Sequence, residues 1–411
     1  MLSRMRWLCC LVLLWAVPAV AWPAEDLKLG MSAAFSGPSQ GLGIELYRGA
    51  MAYFEQVNRR GGVGGRRISL IAYDDGYNPT PAIENTIRLI EVDRVLCLFS
   101  FVGTPTVTRI LPLVKSYGAR DIHLFFPFTG AQPQREPPYD RFVFNLRASY
   151  RQETRGLVDR LVQVGRKRIA VLYQADAYGR SGWDGVRRAL EARGLSIAAE
   201  ATYRRGSGFG ESMQAQVEII RRAAPDAVIC VGYYAACAAF IREARDSGLS
   251  VPIANLSFVG SESMLALLED LSRERGRDYT RDLINSQVVP SYEDTSLPAV
   301  REYRALMDEI WPAPPPGAAE NYAPLRYSFV GFEGFLNAKT MVRILSDFVK
   351  NGREADNSPS AAAEGIRELD LGLGQPVRFS ADRHQGLDAV YFTTVERGKF
   401  MPLADFERWR K

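Results

Sequence analysis

The stretch SAAFSGPSQGLGIELYRGAMAYFEQVNRRGG, from Ser32 to Gly62, sets out the first unit of the fold. It begins with small residues that end a strand, continues through a loop of glycine, proline and serine, and becomes a helix from about Leu42 to Arg59. Apolar residues in this helix recur at the spacing of a single helical face. In an α/β protein, ligands bind in the loops that follow the carboxyl ends of the strands. The sequence therefore predicts that this loop forms a wall of a ligand site, with small residues that let the backbone approach a solute.

The alternation of strand and helix continues along the chain. The runs ISLIAYDD, VLCLFS and IHLFF predict strands, and helical patterns separate them. Near residues 141–150, RFVFNLRASY, the alternation starts again and continues through a second series of β–α units, and the run LDAVYFTTVERGKFMPL predicts a terminal hairpin. Repeated β–α units with short connections predict parallel sheets wrapped by helices. Two such series predict an α/β protein of two lobes with a cleft between them.

The composition is typical of a soluble globular protein. Of 411 residues, 47% are hydrophobic and 24% are charged, and this length suits two ordinary domains. The formal net charge is only +4, so charge gives no indication of a nucleic-acid or membrane-surface partner. Arg4 and Arg6 precede an apolar run from Leu8 to Ala21 that ends in Ala-Val-Ala. This pattern predicts a signal peptide at residues 1–21 and a periplasmic mature protein. A retained membrane anchor is disfavoured, because the run is shorter than the roughly 20 residues that a bilayer needs.

The cysteines and histidines give no indication of a catalytic or metal site. Removal of the signal peptide would leave Cys97, Cys230 and Cys237, of which at least one must be a free thiol. Two of them lie in apolar runs that predict buried strands, so we expect buried, inert thiols; a disulfide between Cys230 and Cys237 stays open as an alternative. His123 and His384 are far apart in sequence, and no metal-ligand spacing or catalytic motif is present. We therefore expect a protein that is not an enzyme and needs no cofactor or metal.

One long segment resembles a known family. AFSGPSQGLGIELYRGAMAYFEQVNRRGGVGGRRISLIAYDDGYNP contains S-G-P, G-A, N-x-x-G-G-V-x-G-x-x-I, D-D and N-P in that order. In this pattern it resembles the periplasmic leucine/isoleucine/valine-binding proteins, and the order of elements fits from about residue 27 to 395. The resemblance implies a type I periplasmic binding protein, in which three crossovers join two lobes that close on a solute. It implies a first lobe of residues 26–146 and 258–372 and a second lobe of residues 147–257 and 373–411.

The same resemblance implies a function and partners. Such proteins are the extracytoplasmic solute-binding components of ABC-type importers of the branched-chain amino acid-binding type. We therefore expect a monomer that binds a small organic solute, works with a membrane permease and binds no nucleic acid. The same fold also serves ligand sensors that report to a separate membrane receptor, and this remains the alternative function.

The resemblance also implies candidate ligand-binding residues. The loop from Gly37 to Gly43 forms one wall of the site. FSFVGTPT matches a segment whose serine hydroxyls bind a carboxylate in the family, and here a helix start could still receive an anion through its backbone N–H groups. Tyr150 is a candidate because it begins a helix that faces the expected cleft. The first-lobe candidates are Leu42, Ser100, Phe101, Gly103, Thr104, Thr129 and Gly130, and the second-lobe candidates are Tyr150, Tyr178, Tyr233 (or its neighbour Tyr234) and Ser257.

Ser257 bears on the kind of solute. In this alignment it stands where amino-acid binders of the family usually have a carboxylate that pairs with the ammonium group of the ligand. Burying an unpaired ammonium costs several kcal/mol, so the alignment favours a flatter or more apolar solute. A shifted alignment places Glu262 there instead. The aromatic candidates could equally belong to the core, and Arg147 could pair with a ligand carboxylate or with a structural acid.

Overall fold

The computed structural model describes residues 25–320, 322–352 and 357–411. The predicted signal peptide lies outside these residues. Within them, the chain forms two large sheets wrapped by helices and one small two-stranded sheet. None of the described helices is both long and apolar enough to cross a bilayer.

The first lobe is built on five parallel strands in the order β2-β1-β3-β4-β5. β1 is buried along almost its whole length, as expected for a strand that helices cover on both faces. Because parallel strands need crossover connections, each strand is followed by a helix or a longer loop. The elements are β1 (Leu27–Ala33), α1 (Gln40–Arg59), β2 (Ile68–Asp74), α2 (Pro79–Glu91), β3 (Cys97–Phe99), α3 (Thr104–Tyr117), β4 (Leu124–Phe125) and β5 (Val143–Phe144).

The second lobe starts with α4 and is built on seven strands in the order β14-β13-β10-β9-β8-β6-β7. The five strands from β10 to the edge strand β7 are parallel, and the predicted terminal hairpin is present as β13 and β14, which pair antiparallel. The elements are α4 (Tyr150–Gln163), β6 (Ile169–Gln174), α5 (Ala177–Glu191), β7 (Ala199–Tyr203), α6 (Gln214–Arg222), β8 (Ala227–Val231), α7 (Tyr234–Asp246), β9 (Ile253–Asn255), α8 (Ser261–Arg275) and β10 (Leu283–Gln287), followed much later by β13 (Tyr391–Glu396) and β14 (Lys399–Pro402).

Between β10 and β13 the chain returns to the first lobe. There α10 packs on α1 with direct backbone contact, because a Cβ atom on Gly49 would lie 1.8 Å from the carbonyl oxygen of Gly331. This close contact fixes α10 beside the loop that follows β1. The elements of the return are α9 (Pro298–Ile310), α10 (Phe329–Asn351), α11 (Pro359–Glu364), β11 (Leu369–Asp370) and β12 (Pro376–Val377).

The chain therefore crosses between the lobes three times: before α4, after β10 and before β13. The second and third crossings differ from the sequence-based boundaries after Ser257 and Gly372. Phe379 still packs on Phe126 and Phe144 of the first lobe, so the third crossing follows it. β10 pairs in parallel with β9 and antiparallel with β13, and α8 packs on α7, so the second lobe extends to Gln287. The run INSQVV predicts a strand, but its sequence does not indicate which of the two sheets the strand joins.

Candidate functional site

Aromatic side chains from both lobes meet in the loops that follow the strands. Tyr77, after β2, packs on Tyr233, after β8, with ring centroids 6.3 Å apart. Tyr77 and Phe128 of the first lobe also pack on Phe258, after β9, at 5.9 and 5.2 Å. All of these rings are buried. We define the aromatic seam as Tyr77, Phe128, Tyr150, Tyr178, Tyr233 and Phe258.

The structure brings the predicted second-lobe tyrosines together in this seam. Tyr150 and Tyr178 begin α4 and α5, and their ring centroids are 5.2 Å apart. Tyr178 also packs on Phe258 at 4.7 Å. Of the two neighbouring candidates after β8, Tyr233 lies in the seam, whereas Tyr234 reaches the loop after β1, where its hydroxyl accepts a hydrogen bond from Gly41 N (3.2 Å). Both tyrosines therefore contact the opposite lobe.

Three hydroxyl groups converge beside the seam at the start of α3. Thr104 Oγ1 and Thr129 Oγ1 are 2.6 Å apart and buried, and Thr129 Oγ1 also accepts a hydrogen bond from Ala131 N (3.2 Å). The hydroxyls of both threonines face Tyr150. Within the described residues, Tyr150 Oη is buried without a hydrogen-bond partner. Since a buried polar atom without a partner is costly, this cluster suits a ligand that supplies an acceptor group.

The candidate glycines make room for aromatic rings. Gly103 has φ of +104°, and a Cβ atom there would lie 2.2 Å from Tyr77 Cε2. A Cβ atom on Gly130 would lie 2.6 Å from Tyr150 Cδ1 and 2.7 Å from its backbone nitrogen. Tyr150 N also donates to Gly130 O (2.7 Å). Both glycines therefore act by letting seam residues approach the backbone.

The other first-lobe candidates separate into interface and core positions. Leu42 is buried at the lobe interface, since a Cβ atom on Gly260 of the second lobe would lie 2.8 Å from Leu42 Cδ2. Phe101 lies instead in the hydrophobic cluster between α2, α3 and the outer strands of the first sheet, away from the seam. Ser100 accepts a hydrogen bond from Asn337 Nδ2 of α10 (3.1 Å). For Phe101 and Ser100, the structure thus favours a role in the first-lobe core.

Ser257 belongs to a buried polar network behind the seam. Its backbone N–H and its hydroxyl donate to the two oxygens of Glu153, at 2.8 and 3.0 Å, and its hydroxyl also accepts a hydrogen bond from Arg147 Nη2. The hydroxyl donor and one acceptor lone pair are therefore used inside the protein, which leaves Ser257 without a free donor for a ligand.

The same network pairs Arg147 with structural acids. Its Nη2 lies 3.4 Å from Glu153 Oε1, and its Nη1 lies 3.5 Å from Glu333 Oε1. Arg147 precedes α4 at the first crossing, Glu153 lies on α4, and Glu333 lies on α10, so the network joins the two lobes. Burial raises the pKa of Glu333 to about 7, although Arg147 opposes the shift. We call Arg147, Glu153, Ser257 and Glu333 the hinge cluster.

Glu262 lies at the lobe interface, where the shifted alignment predicts a ligand-pairing acid. It follows Ser261 at the start of α8 in the second lobe, and its Oε1 accepts a hydrogen bond from Phe329 N of α10 in the first lobe (3.2 Å). The Tyr292 hydroxyl donates to the same carboxyl group. Burial raises the pKa of Glu262 to about 7, and the nearby carboxyl group of Glu45 adds to the rise. Glu262, unlike Ser257, therefore presents an acid to the first lobe.

The raised pKa of Glu262 leads to a prediction on pH dependence. Because the folded-state pKa lies above the unfolded value, the stabilising effect of its protonated form is complete below about pH 4.5 and is lost as the pH rises through about 7. Glu262→Gln should therefore be more stable than the wild type at pH 8, by on the order of 1–3 kcal/mol, and nearly equal to it at pH 5. Thermal melts across this pH range measure the difference. Glu274→Gln, at an exposed position on the same helix, is the control, and equal pH profiles for both variants would contradict the prediction.

Sequence reasoning missed two residues of the seam. Tyr77 follows the D-D-G turn after β2, and Phe258 directly follows the candidate Ser257. Position in a loop after a strand is the signal that could have found them, since this is where ligand sites of α/β folds form. In the described part of the chain, no group of three or more His, Cys, Asp or Glu side chains could hold a metal ion.

Comparison with known proteins agrees with this architecture. A family model described as "Periplasmic binding protein" matches residues 26–399. An "Amino acid binding protein" of Pseudomonas aeruginosa is 26% identical over 228 residues, which are 55% of this chain and 59% of that protein. The "Leu/Ile/Val-binding protein homolog 7" of Brucella abortus is 25% identical over 297 residues, which are 68% of this chain and 71% of that protein.

Solved structures extend the similarity to nearly the whole chain. A "possible leucine/isoleucine/valine-binding protein" from Rhodopirellula baltica is 31% identical and superposes with a TM-score of 0.80 over 94% of this chain and 98% of its own. A branched-chain amino acid ABC transporter protein from Thermus thermophilus with bound valine shares the fold, with a TM-score of 0.78 at 17% identity over 93% of this chain and 96% of its own. These matches confirm the predicted two-lobed α/β fold. The chain belongs to the periplasmic binding protein family, as a type I member of the leucine/isoleucine/valine-binding type, and this is a family of solute-binding proteins rather than enzymes.

Proposed function

We propose that this protein is the periplasmic solute-binding component of an ABC-type importer and that it traps a small organic solute between its two lobes. The observation that carries the proposal is the convergence of three buried hydroxyls, those of Tyr150, Thr104 and Thr129, beside the aromatic seam. Buried polar groups that converge within apolar walls are typical of small-molecule sites. The names of the relatives, which include binding proteins for leucine, isoleucine and valine, support the same class of ligand.

The polar groups of the cleft favour a carboxylate as the anchoring group of the solute. The cluster at the start of α3 consists of hydroxyl donors, and the first turn of a helix adds free N–H groups and the positive end of the helix dipole. The rings of the seam would cover an apolar body of the solute. If the solute also carries an ammonium group, Glu262 is the residue proposed to pair with it, because it is the acid that the second lobe presents to the first. We thus propose that the carboxylate is the main group by which the site recognises the solute, and that an ammonium group adds a second contact.

A thermal-shift screen tests this proposal. The panel contains leucine, isoleucine and valine, their amides, and the matching carboxylic acids without the amino group. A ligand at 100 times its dissociation constant stabilises the protein by about 2.7 kcal/mol, which gives a readily measured shift. We expect a shift with the carboxylic acids and none with the amides. The proposed anchor would be contradicted if only the amides raised the melting temperature. It would also be contradicted if none of the compounds that carry a carboxylate did so.

A substitution at the anchor gives a second prediction. Thr129→Val keeps the shape of the side chain but removes its hydroxyl, so we expect a roughly 10- to 100-fold weaker affinity for the best compound of the panel, as for the loss of a hydrogen bond of 1.5–3 kcal/mol to a charged group. Titration calorimetry measures the change. Thr86→Val is the matched control: Thr86 is also buried in the first lobe, but its hydroxyl donates to Ala82 O in α2 (2.6 Å). An equal loss of affinity in both variants would show that Thr129 acts through stability alone.

A further inference from the structure

Two cysteines lie together behind the second-lobe wall of the cleft. Cys230 is the penultimate residue of β8, Cys237 lies in the first turn of α7, and both are fully buried. Cys230 and Gly232 are two residues apart at the end of β8, so their Cβ directions share one side of the chain, and Cys237 Sγ lies on that side of Gly232. Only Gly232 and Tyr233 separate the strand from the helix, so the first turn of α7 folds back over the end of β8.

The missing side chain of Gly232 permits this close approach. A Cβ atom on Gly232 would lie 2.7 Å from Cys237 Sγ and 2.6 Å from Tyr203 Oη. The sulfur of Cys237 therefore lies in close contact with Gly232, which is two positions after Cys230. The backbone holds it there, since Cys237 N donates to Tyr233 O (3.1 Å). Cys97, in β3 of the other lobe, is the third cysteine of the described residues.

We propose that Cys230 and Cys237 are a redox couple, which a disulfide-carrying oxidant converts from two thiols to an intramolecular disulfide. In this reaction the thiolate of one cysteine attacks a sulfur of the oxidant and releases one thiol from it. The second cysteine then displaces the other half of the oxidant, so that one S–S bond forms and one breaks. The two electrons and two protons of the cysteines leave with the oxidant as a pair of thiols.

The bond would act on the wall that closes the cleft. It would close a short ring that contains Tyr233, whose hydroxyl donates to Ser207 O (2.7 Å) and whose ring packs on Tyr77 of the first lobe. The next residue, Tyr234, contacts Gly41 across the cleft. A disulfide that ties β8 to α7 would therefore fix the two tyrosines that meet the opposite lobe, and it would stabilise the fold by restricting the unfolded chain.

Burial sets the conditions for the reaction. The thiolate is the reactive form, and burial raises the pKa of the Cys230 thiol well above its usual value. Exchange in the folded protein should therefore be slow and should depend on local opening. Oxidation during folding after export, or in urea just below the unfolding transition, should be fast.

Counting thiols tests the couple directly. The mature protein is purified without reductant, incubated with glutathione disulfide in urea just below the unfolding transition, denatured and labelled with a polyethylene glycol maleimide. We expect one labelled thiol, that of Cys97, and three after prior reduction. Three labelled thiols without reduction, or a disulfide-linked dimer on a non-reducing gel, would overturn the proposal. The count requires no ligand or permease, so its result is separate from that of the importer proposal.

Two variants separate the couple from a general effect of oxidation. In Cys97→Ser, the melting temperature should still fall by a few degrees on reduction. In Cys237→Ser, the melting temperature should not respond to reductant. A reductant effect that persists in Cys237→Ser, or that disappears in Cys97→Ser, would assign the oxidation to other residues.

Discussion

Replacing Arg147 by methionine is expected to lower the free energy of unfolding by about 3–5 kcal/mol, the usual cost of removing one partner from a buried ion pair. Arg147 is only 2% exposed and lies between the carboxyl groups of Glu153 and Glu333. Methionine fills a similar volume but removes the guanidinium that contacts both acids, and leaves Arg135 as a more distant positive neighbour. Equilibrium unfolding in urea, followed by tryptophan fluorescence, measures the loss.

Two further variants identify the cause. Arg188→Met breaks a contact of 2.7 Å with Asp184 on the surface of α5, where ion pairs contribute less than about 1 kcal/mol. Adding Glu153→Gln and Glu333→Gln to Arg147→Met should restore part of the lost stability, because no buried carboxylate then lacks a counter-charge. If Arg147→Met costs no more than Arg188→Met, the hinge cluster is not a stabilising network.

The hinge cluster explains why one candidate from the sequence, Ser257, has no free hydrogen-bond donor for a ligand. Ser257 lies behind the aromatic seam. A single sequence does not show that Glu153, more than a hundred positions away, accepts hydrogen bonds from both the backbone N–H and the hydroxyl of Ser257. The same holds for Arg147. Its position at the first crossing can be predicted from the sequence, but its pairing with Glu333 can be predicted only when the position of α10 is known. Contacts between side chains from distant elements follow from the packed fold and carry no local signal.

The fold itself was largely predictable, because alternation of strands and helices is a local pattern. The resemblance indicated Thr104, Thr129, Tyr178 and Tyr233, and the start of a helix indicated Tyr150. The structure brings these residues together. Phe101 differs because the chain leaves β3 after Phe99, and the conformation of the following loop, with Ser100 at φ of +51°, decides where its ring packs. The predicted lobe boundary after Ser257 differs from the crossing in the structure, which follows β10. The sequence of β10 predicts a strand but does not indicate which sheet that strand joins.

Gly103→Ala is expected to be the second severe substitution, with a loss of about 3 kcal/mol or more in the free energy of unfolding. Two costs add up here. An alanine would be strained at φ of +104°, and its Cβ atom would lie 2.2 Å from Tyr77 Cε2. Tyr77 would have to move away from Tyr233 and Phe258 across the cleft, so ligand affinity should fall together with stability. Urea unfolding and the thermal-shift screen measure the two effects.

Matched variants separate backbone strain from the displaced ring. Gly37→Ala, in the loop after β1, has φ of +78° and no atom within 4 Å of the added Cβ, so it should cost only the strain of about 1–2 kcal/mol. In a Tyr77→Ala background, which removes both ring carbons that lie within 3 Å of the added Cβ atom, Gly103→Ala should cost about as much as Gly37→Ala. The difference between the two backgrounds is the coupling energy of Gly103 and Tyr77. A coupling near zero would mean that Gly103 is required for its backbone conformation alone, and that the aromatic seam does not depend on the space this glycine leaves.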